Sequence, residues 1–533
     1  MLSDSITNDR NPGSSWPWPL LLQLLLAAAG CLWPPWTWRR AGALKWRSAS
    51  RSALTLTMRS CTLIFAYVLS SIGVVNCGKH EAKPFLGLQS AYSPTLNDSP
   101  PTPFASVVHQ LSAQASMNAS PMQDSTPVVV EWAGVPPAHS TSTHDYILLS
   151  CNGVDWPLEE AFDAIRVPVN AAVSGRGTVE LPPLPDLRCP YVLRYVRKVA
   201  TLSGEILAEV ELAHAVGGFG TRPQSLHIGF TGQRDEMLVI WISGLRDGQA
   251  QWGLSPGEYT HVVDATSSTY VASDLCNAPA NRSGPLGFID PGMIHRAVLT
   301  KLPPSALIYY RVRSGSQAWG AEHSFRSRQS SPVLNGLGSV RFLMYADQAL
   351  PVPFIPHVAW RMVPQVVRDI EAGYDAFLLH PGDLGYAMGQ GYIWDVWGKL
   401  VEPISSRVPY MVTVGNHEYD HTGSHLEPSG SVVTGWHPSW GNYGDDSRGE
   451  CGVPTAARFN GTGSAAPGSN HIFWYSFEEG PVHVIVLSSE HDWTVGSRQY
   501  TWLAADLATV DRAVTPWVVL ATHRMMYAWP HAT

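Results

Sequence analysis

Five short apolar runs in the last third of the chain, each of a length that suits a buried β-strand, stop on residues that bind metal or move protons. Run 340–345 leads to Asp347, run 376–379 to Gly382-Asp383-Leu384-Gly385-Tyr386, and run 411–414 to Gly415-Asn416-His417-Glu418. Run 482–487 leads to Glu490-His491-Asp492, and run 517–520 to His523. Ligands of an open α/β sheet sit outside the carboxyl ends of its strands, so the series predicts five loops converging on one site. Between the strands, residues such as Val366, Val367 and Ile370, or Trp502, Leu503 and Leu507, recur at helical spacing and predict helices over 362–372, 394–405 and 498–513. That alternation predicts a sheet covered on both faces.

The loop residues offer carboxylate, amide, phenol and imidazole donors without a thiolate, which suits Mn, Fe or Zn in a hydrolytic site better than a structural zinc. Asp383 has two oxygens with which to bridge two ions, with Asp347 on one side and Asn416 on the other. Two metals roughly 3.5–4 Å apart activate water and neutralise charge on a transferring phosphoryl group, so the expected reaction is phosphate-ester hydrolysis. A single Gly-Asp or Gly-Asn after a strand is ordinary turn chemistry; the weight lies in the series. His380, His483 and His491 have no motif behind them and are expected to be structural, with Glu490 and Asp492 capping or bracing their loop.

Gly382-Asp383-x-x-Tyr386, Gly415-Asn416-His417-Glu418 and the strand-borne His523 resemble the metallophosphoesterase signature in its purple acid phosphatase form. The stretches Gly449-Glu450-Cys451-Gly452-Val453-Pro454, Trp474-Tyr475-Ser476-Phe477, Ser488-Ser489-Glu490-His491-Asp492 and Thr522-His523-Arg524-Met525-Met526-Tyr527 look like the large plant and algal members, and the resemblance covers about residues 125–533. It implies a multidomain chain in which β-sandwich domains, Ig- or fibronectin III-like, precede a four-layer α/β-β/α metallophosphoesterase sandwich. It also implies a ferric site of Asp347, Asp383 and Tyr386, and a divalent site (Zn, Mn or Fe) of Asp383, Asn416 and His523. His417 would stand beside the substrate phosphate, stabilising charge or protonating the leaving group, and Asn416 and His531 would also face substrate.

Two departures from the family stand out. Asp347-Gln348-Ala349 replaces Asp-x-Gly, putting a methyl group where the backbone normally has glycine freedom, and the loop is expected to adjust without losing the ligand. The family's Gly-His-x-His motif, expected beyond the strand-borne histidine, does not occur before Thr533. The reading is therefore of a C-terminally truncated chain, with each metal short of one imidazole and the last strands of the sandwich missing. The function expected is acid phosphatase activity on small phosphate monoesters. The alternatives are a phosphodiesterase or nucleotide pyrophosphatase on the same centre, and a non-catalytic glycoprotein whose β-domains bind a partner.

At 533 residues, 45% hydrophobic and 15% charged, the chain has material for more than one core. Its formal charge is −8, and no basic patch points to nucleic acid. Run 20–33 is too short and too Trp/Pro-flanked for a membrane span, so no stable insertion is expected. Met58-Arg59-Ser60-Cys61 followed by apolar 63–75 reads as a signal peptide over 58–77, with 1–57 a gene-model extension. Residues 78–125 read as a linker, 126–220 as a β-sandwich, 221–327 as a fibronectin-type domain with Leu302-Pro303 turning into a Tyr310-bearing strand, and 339–533 as the catalytic domain. Cys151, Cys189, Cys276 and Cys451 remain after the leader and allow three connectivities. Cys151–Cys189 with Cys276–Cys451 is favoured, the latter joining the second β-domain to the catalytic one. Sequons at Asn97, Asn118, Asn281 and Asn460 fit export to the cell exterior, wall or vacuole, and a homodimer is compatible with the chain.

Overall fold

The structure, a computed structural model, describes residues 115–121, 127–138, 145–151, 163–181, 184, 186–200, 203–213, 220–284, 286–329, 339–349, 358–419, 446–463 and 468–526, with strand backbone at 63–65, 73–76 and 106–109. In the catalytic region β1 (Arg341–Met344), β2 (Leu378–Pro381) and β3 (Tyr410–Thr413) form one parallel array, with α1 (Val358–Glu371) and α2 (Gly391–Ser405) as crossovers. After α3 (Val453–Arg458), a second sheet holds β4 (Tyr475–Glu479), β5 (Val482–Val486) and β6 (Trp517–Ala521), with α4 (Arg498–Thr509) between β5 and β6.

Side-chain alternation along these strands explains the layering. Phe342, Met344, Phe377, Leu379 and Met411 from the first sheet share one core with Phe477, Val484, Val486 and Val519 from the second. Their neighbours Leu343, Tyr345, Leu378 and Val412, like Ile485 and Leu487, point the other way, into the core that contains Val366, Trp397 and Trp502 of the helices. The expected coverage of both faces takes a particular form here. Each sheet turns one face to a helix and the other to its partner sheet, and the Tyr475 hydroxyl crosses the gap to donate to the Val412 carbonyl at 2.9 Å. The four layers implied by the family resemblance are present. Helix α4 ends at Thr509, earlier than expected, because residues 511–514 form a turn whose Asp511 carbonyl accepts from the Thr515 amide at 2.7 Å.

Two regions of the sequence reading, the linker and the leader, contain strands. Residues 106–109 and 116–119, expected to be linker, are strands of the first β-domain, whose sheets pair 106–109 with Ser203–Glu211 and 116–119 with Val128–Ala133. Residues 63–65 and 73–76, inside the expected leader, lie as edge strands on β6 and β1. Their apolar, β-branched composition suits an edge strand as well as a leader. The remaining upstream segments, including 1–57, lie outside the described residues.

The second β-domain packs two four-stranded sheets face to face. It is docked on the catalytic domain by hydrogen bonds as well as by Phe230, whose ring lies 6.3 Å from that of Phe377. The Tyr310 hydroxyl donates to the Ser406 carbonyl at 2.7 Å, and Ser405 Oγ donates to the Leu226 carbonyl at 2.9 Å. The Cys276–Cys451 disulfide joins the same two domains. Cys189 is disulfide-bonded too, whereas the Cys151 side chain lies outside the described residues. No described helix is long and apolar enough to cross a membrane.

A buried ionic triad connects three regions. Asp395 on α2 accepts from Arg188 of the first β-domain at 2.7 Å and from Arg458 of α3 at 3.1 Å, with its own side chain 1% exposed. Asp395→Ala would strand two guanidinium groups, and removing one member of a buried pair costs about 3–5 kcal/mol. Chemical denaturation should show a loss of that size; a loss no larger than that of a surface substitution would mean the triad is not what fixes the domains.

His483 of β5 supplies a pH test. Burial by itself would lower its pKa, but hydrogen bonds and charge from Asp506 and Glu478 overcome that and hold it at about 9. A folded-state pKa above the unfolded value gives stability that is complete below the unfolded pKa of about 6.5 and disappears as pH rises through the folded value. Unfolding free energy should therefore decline between pH 7 and 9, and His483→Gln should flatten that decline; an identical slope in the variant would rule out His483 as its source.

Candidate metal centre

Each loop that leaves the carboxyl end of β1, β2 or β3 carries acidic or amide donors, and the end of β6 brings His523 across from the second sheet. Ligand atoms of Asp347, Asp383 and His523 all lie within 4.8 Å of one another. His523 Nε2 is 3.3 Å from Asp383 Oδ1 and 3.1 Å from Asn416 Oδ1. The Tyr386 hydroxyl donates to Asp347 Oδ1 at 3.2 Å, closing the other side of the cluster. Six sequence candidates thus meet at one place: Asp347, Asp383, Tyr386, Asn416, His417 and His523. His531 lies outside the described residues.

The backbone is bent hard to achieve this. Asp347, Ala349, Asp383 and Tyr386 have φ values of 55°, 54°, 52° and 51°, a left-handed region that costs a non-glycine residue roughly 1–2 kcal/mol. Ala349 therefore takes a left-handed conformation without glycine's freedom, and Asp347 stays in the cluster. Gly415 is required for a different reason: a Cβ there would overlap the Asp383 carboxylate and crowd His523.

Glu418, fully buried, fixes the two central loops. Its Oε2 accepts from the Asp383 amide at 2.7 Å and from the Gly415 amide at 3.0 Å, while Oε1 accepts from the Leu384 amide at 2.8 Å. The motif showed Glu418 in sequence, but not that its work is on the backbone of the neighbouring loop. A second group missed from the sequence is Asp446, whose Oδ2 accepts from Asn416 Nδ2 at 2.9 Å. Its only sequence signal was proximity to the Gly449-Glu450-Cys451 stretch.

Several other side chains act as expected of structural residues. Glu490 holds Arg524 through both carboxylate oxygens at 2.7 and 3.0 Å, bracing the residue next to His523. Asp492 caps its turn through the Thr494 amide at 2.9 Å. His491 packs on Tyr419, and His380 bonds the Tyr410 hydroxyl at 2.8 Å.

Electrostatically the cluster calls for cations. Desolvation raises the Asp347 carboxyl against the lowering charge of His523, with the Asp383 charge adding a smaller rise. Burial, followed by the charges of Asp383 and Asp347, pushes the Tyr386 phenol far above its ordinary range. A bound cation reverses the sign of both effects. The donor set matches hard and borderline metals, and His523 presents Nε2 to the carboxylates while its Nδ1 is buried with no partner among the described residues. His417 is held by the bond from its amide to Asp383 Oδ1 at 3.1 Å and by its ring, 4.3 Å from that of Tyr386.

Removing the Glu418 acceptors tests this construction. Glu418→Gln turns one oxygen into a donor facing a buried amide, at a cost of about 1–3 kcal/mol. Bound metal per chain should fall together with the melting temperature. Full metal content in a destabilised variant would show that Glu418 serves the fold alone.

Residues 223–327 match the family model described as Purple acid Phosphatase, N-terminal domain, and residues 356–532 the one described as Calcineurin-like phosphoesterase. The chain is 34% identical over 326 residues to "Probable inactive purple acid phosphatase 9" of Arabidopsis thaliana, covering 57% of this chain and 47% of that relative. It is 28% identical over 341 residues to "Acid phosphatase type 7" of Homo sapiens, covering 60% and 63%. The chain thus spans about half the length of the Arabidopsis relatives it matches. In fold it resembles a solved purple acid phosphatase from yellow lupin (Lupinus luteus) seeds, with a TM-score of 0.62, 23% identity and coverage of 78% of this chain and 73% of that one. The family normally uses a binuclear metal centre, which is the chemistry for which the strand-end donors are suited. The chain therefore carries a domain of the purple acid phosphatase N-terminal type followed by a calcineurin-like phosphoesterase domain, and in sequence and fold it is similar to purple acid phosphatases.

Proposed function

We propose that the protein is an exported acid phosphatase that hydrolyses small phosphate monoesters at a binuclear metal centre. The observation that carries this reading is the convergence of Asp347, Asp383 and His523 within 4.8 Å, with Asn416 and Tyr386 completing the donor set. Asp347, Asp383 and Tyr386 would hold ferric iron, and Asp383, Asn416 and His523 a divalent Zn, Mn or Fe. Such cations, when bound, polarise the phosphoryl oxygens and make water acidic enough to attack. Asp383 would supply a carboxylate to both positions. Tyr386 contributes a phenolate that tunes the iron without attacking. His417 Nε2 lies 3.8 Å from Asp383 Oδ2, and its imidazolium would donate to the leaving oxygen or to the phosphate. The disulfide between the β-domain and the catalytic domain favours an oxidising compartment.

A second reading is a metal-holding glycoprotein without turnover. It is favoured by the names of Arabidopsis thaliana relatives such as "Probable inactive purple acid phosphatase 9" and "Probable inactive purple acid phosphatase 1".

Metal analysis alongside hydrolysis of a chromogenic phosphate monoester separates the readings. Asp383→Asn should lose both activity and one or both metals. His417→Ala should keep its metal and slow turnover by about 10²–10⁴-fold, the usual cost of a lost general acid or charge-stabilising group. Tyr386→Phe should lose the visible phenolate-to-iron absorption with a smaller effect on rate. Unchanged activity in Asp383→Asn would reject the binuclear assignment, and stoichiometric metal without turnover in the parent protein would establish the second reading.

A further inference from the structure

Asn416 differs from its neighbours in the cluster because an amide has two unlike ends, and only the oxygen can face a cation. Which end points inward is decided by the hydrogen bonds around it. Here Nδ2 donates to Asp446 Oδ2 at 2.9 Å, which leaves Oδ1 directed at His523 Nε2, 3.1 Å away, on the side of Asp383. We propose that Asp446 is a positioning residue that sets the orientation of the Asn416 amide, and that the Cys276–Cys451 disulfide holds Asp446 in place from the second β-domain. The inference deepens the metallohydrolase reading and rests on it for its consequence at the metal.

The segment that carries Asp446 is pinned at several points just beyond it. Cys451 is bonded to Cys276, and the Cys276 amide donates to the Gly449 carbonyl at 2.9 Å. Glu450 accepts from the Gly389 amide at 3.0 Å and from Trp394 Nε1 at 3.1 Å, and the Gly452 amide donates to the Glu418 carbonyl at 2.7 Å. A Cβ on Gly449 would collide with the backbone of Asn277, so the turn lies flat against the β-domain loop. Asp446 is 8% exposed and so has little freedom to swing away from Asn416. Groups behind a metal ligand orient it, and their loss typically weakens metal binding by about 10–100-fold. The β-domain thereby acquires a role at the centre without contributing a ligand.

The test uses the whole chain with Asp446→Ala, Asp446→Asn and the double Cys276→Ser/Cys451→Ser variant. In crystals grown without metal, Asp446→Ala should release Asn416 from His523, taking Oδ1 beyond hydrogen-bond distance of Nε2. Titration with Mn²⁺, followed by electron paramagnetic resonance, should show a Kd raised about 10–100-fold with iron content and melting temperature unchanged. Asp446→Asn, whose amide oxygen still accepts from Nδ2, should restore both readouts to within a few-fold of the parent, and the cysteine variant should fall between parent and Asp446→Ala. Asn416 still bonded to His523 in Asp446→Ala, with an unchanged Mn²⁺ Kd, would overturn the proposal. Asp446→Asn as defective as Asp446→Ala would overturn it too, because negative charge and not amide orientation would then be the requirement. A cysteine variant identical to the parent would remove the disulfide from the account. A parent protein that takes up no Mn²⁺ would reject the metallohydrolase reading, and the metal-free position of Asn416 would by itself decide the role of Asp446.

Discussion

One carboxylate underlies the geometry of the centre. Glu418 stands at the end of the loop that carries Asn416 and His417, yet two of its three hydrogen bonds go to the amides of Asp383 and Leu384 in the preceding loop. Those amides would otherwise be buried donors without acceptors, each costing free energy comparable to a lost hydrogen bond. The same bonds secure Asp383 in a left-handed conformation that it would not hold in isolation. Gly382 and Gly415 make the approach feasible, since their backbones come too close for a Cβ on Gly382. Burial, and then the Asp383 carboxylate beside it, push the Glu418 carboxyl up, so the interaction is strained electrostatically even as it satisfies the backbone.

Strands and crossover helices were legible because their residues repeat with the period of the element they form. Leu378 and Leu379 alone could not say which face met a helix and which met another sheet, because both faces are apolar. That ambiguity is intrinsic to doubly covered strands, and it is why periodicity predicted covered faces without saying what covers each. The strand Tyr475–Glu479 was visible only as part of a family-like stretch, its alternation obscured by Glu478 and Glu479. Glu479 is buried because Arg328 from the domain boundary pairs with it at 3.3 Å, a tertiary fact absent from local sequence.

The site divides in the same way. Residues at strand ends could be nominated one by one, since position in the chain determines position at the sheet edge. Asp446 could not, because it reaches Asn416 from a segment anchored on another domain. Sequence spacing reports what a strand delivers to its own end and says nothing about what is brought alongside by a disulfide and a buried ionic triad. The two β-domains share continuous cores with the catalytic domain.

Asp347, Asp383, Tyr386 and Asn416 belong to loops of one sheet, whereas His523 comes from the other. Ions shared among them would lie on the seam between two half-folds and would act as a rivet at its open end. Free energy of metal binding is then also free energy of sheet closure, and it grows with the logarithm of free metal concentration. A chelator would then act on the fold as well as on the site, loosening the open end of that seam.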